Sequence, residues 1–108
     1  MLWDHTNEAT GDDLLFGPAK IHALDDAYRR WLGEHPTEAA ALARSTPFGP
    51  LAATHRTGKG AKSPGSWMRF DSIWVTRHWA VQHIDHLYDD AIAAGSDHAV
   101  VIADLTPM

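Results

Sequence analysis

The residues best suited to chemistry fall in two short stretches, Ser96-Asp97-His98 and, one strand earlier, Asp71. Ser96-Asp97-His98 lies between Gly95 and an apolar run, Ala99-Val100-Val101-Ile102-Ala103. Along a regular strand adjacent side chains point to opposite faces, but just before a strand the pleat is not yet established, so Asp97 and His98 can share one cleft. A carboxylate suits a hard cation such as Mg2+. An imidazole beside it suits proton transfer, or a hydrogen bond to a phosphoryl oxygen, near neutral pH. A histidine used that way needs its other ring nitrogen fixed by an acceptor, which Asp71 at the end of a different strand can supply. On spacing alone, a solvent-exposed polar turn is the commoner outcome for an Asp-His pair.

Other candidates carry less. His83-Ile84-Asp85-His86 has two imidazoles that share a face on a helix but not on a strand. No third ligand stands at a useful spacing, so ordinary polar surface is the better reading than zinc. Gly58-Lys59-Gly60-Ala61-Lys62-Ser63 fails the spacing of a phosphate loop and follows no strand. It reads as a basic loop, whose Arg56, Lys59 and Lys62 are candidate contacts to substrate phosphates. The stripe Tyr28, Trp31 and Leu32 reads as core, Asp25-Asp26 as a polar helix face, and Asp89-Asp90 as a solvated pair.

The elements that must hold these groups follow from periodicity. Residues 1–17, rich in Asp, Asn, Thr and Gly, read as an irregular N-terminal segment. Pro18 can open a helix in which Ile21, Leu24, Tyr28, Trp31 and Leu32 recur at helical spacing, stopped by Gly33. Pro36 begins a second, shorter helix that ends near Ser45 to Pro50. Residues 51–66 read as loop. A strand is expected over Met68 to Thr76, and a second candidate over Ala80 to Leu87, with Val81, His83 and Asp85 on one face. Tyr88 to Ala94 reads as a short helical turn stopped by Gly95, and Ala99 to Ala103 as a buried strand. Helix, loop and strands in this order suit an α+β layered fold, with mostly antiparallel strands and flanking helices. A sheet this thin leaves one face bare unless another layer covers it.

Composition narrows the function classes. A length of 108 residues allows one small domain, and an apolar fraction of 44% makes it globular. A net charge of −5 argues against broad adhesion to nucleic acid or anionic membrane. The absence of cysteine excludes disulfides, thiolate zinc sites and a cysteine nucleophile. The start Met1-Leu2-Trp3-Asp4-His5 has no basic or apolar leader, and no apolar run spans a bilayer, so a soluble, cytoplasmic protein is expected.

Two stretches also carry a family resemblance. Trp67-Met68-Arg69-Phe70-Asp71-Ser72-Ile73-Trp74-Val75 and Ser96-Asp97-His98-Ala99-Val100-Val101-Ile102-Ala103-Asp104-Leu105 resemble, in order and separation, two strands of the endonuclease/exonuclease/phosphatase superfamily. One is its Arg-apolar-Asp strand and the other its terminal Ser-Asp-His strand. Leu24-Asp25-Asp26-Ala27-Tyr28-Arg29 and Thr54-His55 resemble, more loosely, the helix and the Thr-containing loop that precede them. The resemblance implies that residues 18–108 are the C-terminal portion of such a domain, a layered sandwich of two sheets and flanking helices. It implies Asp97 as a metal-site carboxylate for Mg2+ or Mn2+, His98 as the catalytic histidine, and Asp71 as the group that sets the orientation of His98. Arg69 is expected in a structural ion pair.

The chain departs from that family in lacking the Asn, the metal-binding Glu and the Asp-x-Asn of its N-terminal part. The expected function is therefore a divalent-metal-dependent phosphoester hydrolase, here a truncated piece that needs a missing N-terminal half or a homo-oligomer to complete the site. Nucleic acid, phospholipid head groups and soluble phosphate esters remain open as substrates. The rival expectation is a noncatalytic folded remnant acting as an interaction module or oligomer.

Overall fold

The computed structural model describes residues 20–45, 52–60 and 63–108. The irregular segment expected over 1–17 lies outside them, as do Pro18 and Lys62. Within them the chain is α+β, with three helices and antiparallel strand pairs. Strand β1 (Asp25–Asp26) leads directly into helix α1 (Ala27–Glu34), and α2 (Pro36–Ser45) follows. Strands β2 (His55–Gly60) and β3 (Ser63–Met68) pair as a hairpin, and β4 (Trp74–Val75) pairs with β1. The long pair is β5 (Trp79–Leu87) with β6 (Val100–Pro107), joined through helix α3 (Tyr88–Ala93).

The core forms where α1 lies on the β5–β6 ladder. Ala27, Tyr28 and Leu32 from the helix meet Val81 and Ile84 from β5 and Val75 from β4, with Trp31, Val101, Ala103 and Leu105 packed at the margin. The stripe read as core is core. Its helix is shorter than expected, however. Ile21 is 76% exposed and Leu24 38%, so the helical spacing upstream of Ala27 is coincidental. The helix starts where Asp26 caps it, its carboxylate accepting from Tyr28 N.

Asp26 is therefore no part of a polar helix face. It is buried, and both of its carboxylate oxygens take hydrogen bonds from the equally buried guanidinium of Arg69. Arg29 Nε lies 3.5 Å from the same carboxylate, and the Arg69 guanidinium sits over the Tyr28 ring. Asp25, half-exposed, pairs with Arg30, whose guanidinium also reaches the Trp79 and Thr76 carbonyls. These arginines fasten α1 to the segments leaving β3 and β4.

Other expectations are corrected by backbone pairing. His55 to Met68, read as loop with the start of a strand, forms the β2–β3 hairpin, with His55 opposite Met68 and Gly60 opposite Ser63. The expected strand from Met68 to Thr76 is interrupted at residues 69–73 and resumes only at Trp74–Val75. β5 forms as expected, but a register shift between Val81 and His83 breaks the simple alternation, so Val81 and Ile84 are both buried while His83 and Asp85 face water. β6 starts and ends later than expected. One of its faces packs on α1, but Val100 and Ile102 are 48% and 46% exposed, so it is not a buried strand. Among the described residues no helix is long and apolar enough to cross a membrane.

The Arg69–Asp26 pair ties the helix to the strand system through two buried bonds. Removing one partner takes the two-pronged counter-charge from the other, a cost of about 3–5 kcal/mol for a buried pair. Asp26→Ala and Arg69→Ala should each lower the unfolding free energy by that amount in urea titrations. Asp26→Leu combined with Arg69→Met should recover part of it. A loss below about 1 kcal/mol in either single variant, the range of an exposed pair, would show that the pair is dispensable.

Candidate active site

The site is built on Thr54, which is fully buried. Its backbone N–H donates to the Met68 carbonyl and its own carbonyl accepts from Ala99 N, so it stands between the end of β3 and the start of β6. Its hydroxyl Oγ1 accepts from Phe70 N at 2.8 Å and from Asp71 N at 3.1 Å. The irregular link after β3 is thus pinned three times in succession: at residue 69 by its side chain, and at residues 70 and 71 by their backbone N–H groups.

The other half of the site is a turn. Helix α3 ends in a left-handed Gly95 at φ 98°, a conformation that a side chain would strain. Ser96 N donates to the Ala91 carbonyl. Ser96 Oγ then accepts from His98 N and donates to the His98 carbonyl, which closes the turn on itself. Asp97 projects from this turn and is exposed; His98 is half-buried.

The two halves meet at His98. Its Nδ1 lies 2.6 Å from Asp71 Oδ2. A carboxylate accepts, so Nδ1 carries the hydrogen and Nε2 is left to act elsewhere. The pKa of His98 is raised, chiefly by this hydrogen bond, with Asp71 and Asp97 adding charge attraction and burial opposing them. The imidazolium form therefore persists to higher pH than in a free histidine. His55 completes the group: its Nδ1 lies 2.9 Å from the Asp97 carbonyl and its ring stacks on His98 with centroids 4.5 Å apart. Of the sequence candidates, then, Asp71, Asp97 and His98 come together. His83 instead bonds Asp85 on the exposed side of β5. Arg56 is half-buried at the start of β2, Lys59 enters only through the backbone pairing of the hairpin, and Lys62 lies outside the described residues.

One ligand atom from each of His55, Asp97 and His98 lies within 4.8 Å of the others. Imidazole lone pairs lie in the ring plane. The two rings are only 26° from parallel, so their lone pairs run side by side and do not converge on one ion. Tetrahedral coordination at about 2.0–2.1 Å from each nitrogen would require breaking the stack. The arrangement fits a hard cation held by the exposed Asp97 carboxylate, since Mg2+ commonly takes one or two protein carboxylates and completes its shell with water and substrate phosphate.

No protein-family model, curated protein or solved structure matches the chain. Geometry and chemistry alone carry the functional argument.

Sequence reasoning placed the Asp71–His98 pairing but gave no role to His55 or Ser96. The proximity of Thr54-His55 to the second motif is set by the Ala99–Thr54 bond, which no local spacing announces. The coupling of His98 to Asp71 has a definite pH signature. Because the folded-state pKa is raised, the stabilisation is complete below the ordinary imidazole value of about 6.5 and is lost as pH rises through the folded-state value. The gap in urea melts between the native chain and Asp71→Asn should be larger at acid pH, below the ordinary imidazole value, than at alkaline pH, where only the bond from the neutral ring remains. An equal gap at both pH values would refute the coupling.

Proposed function

We propose that this chain carries the His–Asp portion of the active site of a divalent-metal-dependent phosphoester hydrolase of the endonuclease/exonuclease/phosphatase type. The observation that supports this most is the 2.6 Å bond from His98 Nδ1 to Asp71, with Asp97 beside it on a fixed turn. Asp71 fixes the tautomer and ring orientation, and Nε2 of His98 is left for the substrate. With its pKa raised, His98 is favoured in the imidazolium form, whose Nε2–H donates a hydrogen bond to a phosphoryl oxygen and stabilises charge that grows in the transition state. Asp97 would hold Mg2+ or Mn2+, which when bound neutralises charge on the phosphoryl oxygens. The remaining ligands of that ion come, on this reading, from outside the described residues. Arg56, Lys59 and Lys62 are secondary candidates for substrate phosphates.

Two measurements test the proposal. Mn2+ is paramagnetic, so added Mn2+ should broaden the NMR signals of Asp97 and His98 before others, and Asp97→Asn should abolish this. Hydrolysis of a chromogenic phosphodiester should need Mg2+ or Mn2+ and fall about 10²–10⁴-fold in His98→Ala. Mn2+ that leaves Asp97 untouched, or hydrolysis indifferent to His98, would sink the reading.

The exposed Val100 and Ile102 on the outer face of β6 favour a second reading, a noncatalytic fold that self-associates through that face. Light scattering should then show a dimer that Val100→Lys with Ile102→Lys disperses. A monomer at micromolar concentration would remove it.

A further inference from the structure

His55 has no part in the chemistry just described, yet it touches Asp97, His98 and Phe70. It follows Thr54 directly, at the start of β2. Its Nδ1 is 2.9 Å from the Asp97 carbonyl, and its ring lies against His98 and against Phe70, with centroids 4.5 and 5.6 Å away. We infer that His55 is a positioning residue: by holding the Asp97 carbonyl and stacking on His98, it fixes the Ser96-Asp97-His98 turn in the form that presents both side chains together. The effect on the reaction rests on the proposed phosphoester chemistry; the effect on the turn does not.

The turn needs such a hold. Asp97 is exposed and the His98 side chain is 37% exposed, so packing alone constrains neither strongly. Backbone bonds fix the turn on both flanks, at Ser96 N to Ala91 O and at Ala99 N to Thr54 O. Between those points the Asp97 carbonyl is gripped by His55. A carbonyl only accepts, so His55 donates from Nδ1 and its tautomer is set by the same bond. Without that bond the Asp97–His98 peptide is held only by the turn's own bond from His98 N to Ser96 Oγ, which does not tie it to β2, and a shift of the turn moves the His98 ring away from Asp71. Function by positioning of this kind is sensitive to small shifts, since displacement by about 1 Å can cost on the order of 10²-fold in rate.

Three variants of the full chain separate the two contacts. His55→Asn keeps a donor near the Nδ1 position, His55→Phe keeps the ring without the donor, and His55→Ala removes both. The hydrogen bond from His98 to Asp71 is followed directly through the downfield-shifted Nδ1–H proton of His98 in NMR spectra, with thermal melts as the folding control. In His55→Ala and His55→Phe that signal should move upfield and exchange faster, toward its behaviour in Asp71→Asn, while His55→Asn should stay near the native spectrum. Where hydrolysis is measurable, kcat should drop roughly 10- to 100-fold in the first two with KM little changed, and recover in His55→Asn. A native His98 Nδ1–H signal in all three folded variants would overturn the inference, whatever the activity. A displaced signal in a chain whose Asp97 ignores added Mn2+ would uphold the positioning role and count against the phosphoester reading instead. If His55→Ala fails to fold, the contrast between Asn and Phe still decides.

Discussion

The buried ion pair between Arg69 and Asp26 is the constraint on which the rest of the structure hangs. Neither side chain has access to water that would solvate its charge, so each is tolerable only because the other is there in a two-pronged geometry. Asp26 also caps α1, so the same carboxylate starts the helix that covers the core and receives the arginine that leads toward the site. A lysine at residue 69 would supply the charge but not the fork that meets both carboxylate oxygens. Two residues farther on stands Asp71. The anchoring of Arg69 therefore sets the origin from which Asp71 reaches His98.

From that origin the site is assembled by short-range bonds across long sequence separations. Thr54 occupies no catalytic position, yet it satisfies the N–H groups of Phe70 and Asp71 and receives that of Ala99. A buried hydroxyl in that place does two jobs at once: it prevents unsatisfied amides in an irregular link, and it fixes the link's distance from β6. The price is that the site's geometry depends on three separate chain segments staying in register. The Gly95–Ser96 turn supplies the last degree of freedom, and its own internal bonds remove most of it.

Much of this was legible in the residues. Pro36 marked a helix start, Gly95 marked a helix stop, and the two motifs carried the Asp71–His98 pairing. What escaped has physical reasons. Ile21 and Leu24 fall in helical phase with Tyr28 but contribute little to the core, and phase cannot report burial. Asp25-Asp26 looked like a polar helix face because the arginine that buries one of them lies 43 residues away. The β2–β3 hairpin is rich in Gly and Lys, residues of low strand propensity, and it forms because cross-strand backbone pairing outweighs that preference. β6 looked buried because its composition is apolar on both faces, whereas only Val101, Ala103 and Leu105 have α1 or the core to pack against. A continuous apolar run states that a strand can be buried on both sides, not that the chain provides a second layer.

The charge balance around His98 and Asp97 constrains what can bind there. The whole chain carries −5, which repels a phosphate ester at long range, although salt screens that repulsion beyond about 10 Å at 0.1 M. Attraction must then be local. Protonated His98 supplies one positive charge, a form that Asp71 and Asp97 favour. Asp97 is the only carboxylate of the group with its oxygens not engaged by a partner in the cluster, since Asp71 is committed to His98. Left bare, Asp97 would oppose an incoming phosphate and cancel much of what His98 offers. Covered by a divalent ion, it becomes the second positive point beside the imidazolium. The same two side chains would thus repel or attract a phosphate ester according to whether a cation sits on Asp97, which supports the proposal of a metal-dependent site over that of a free-standing histidine acid.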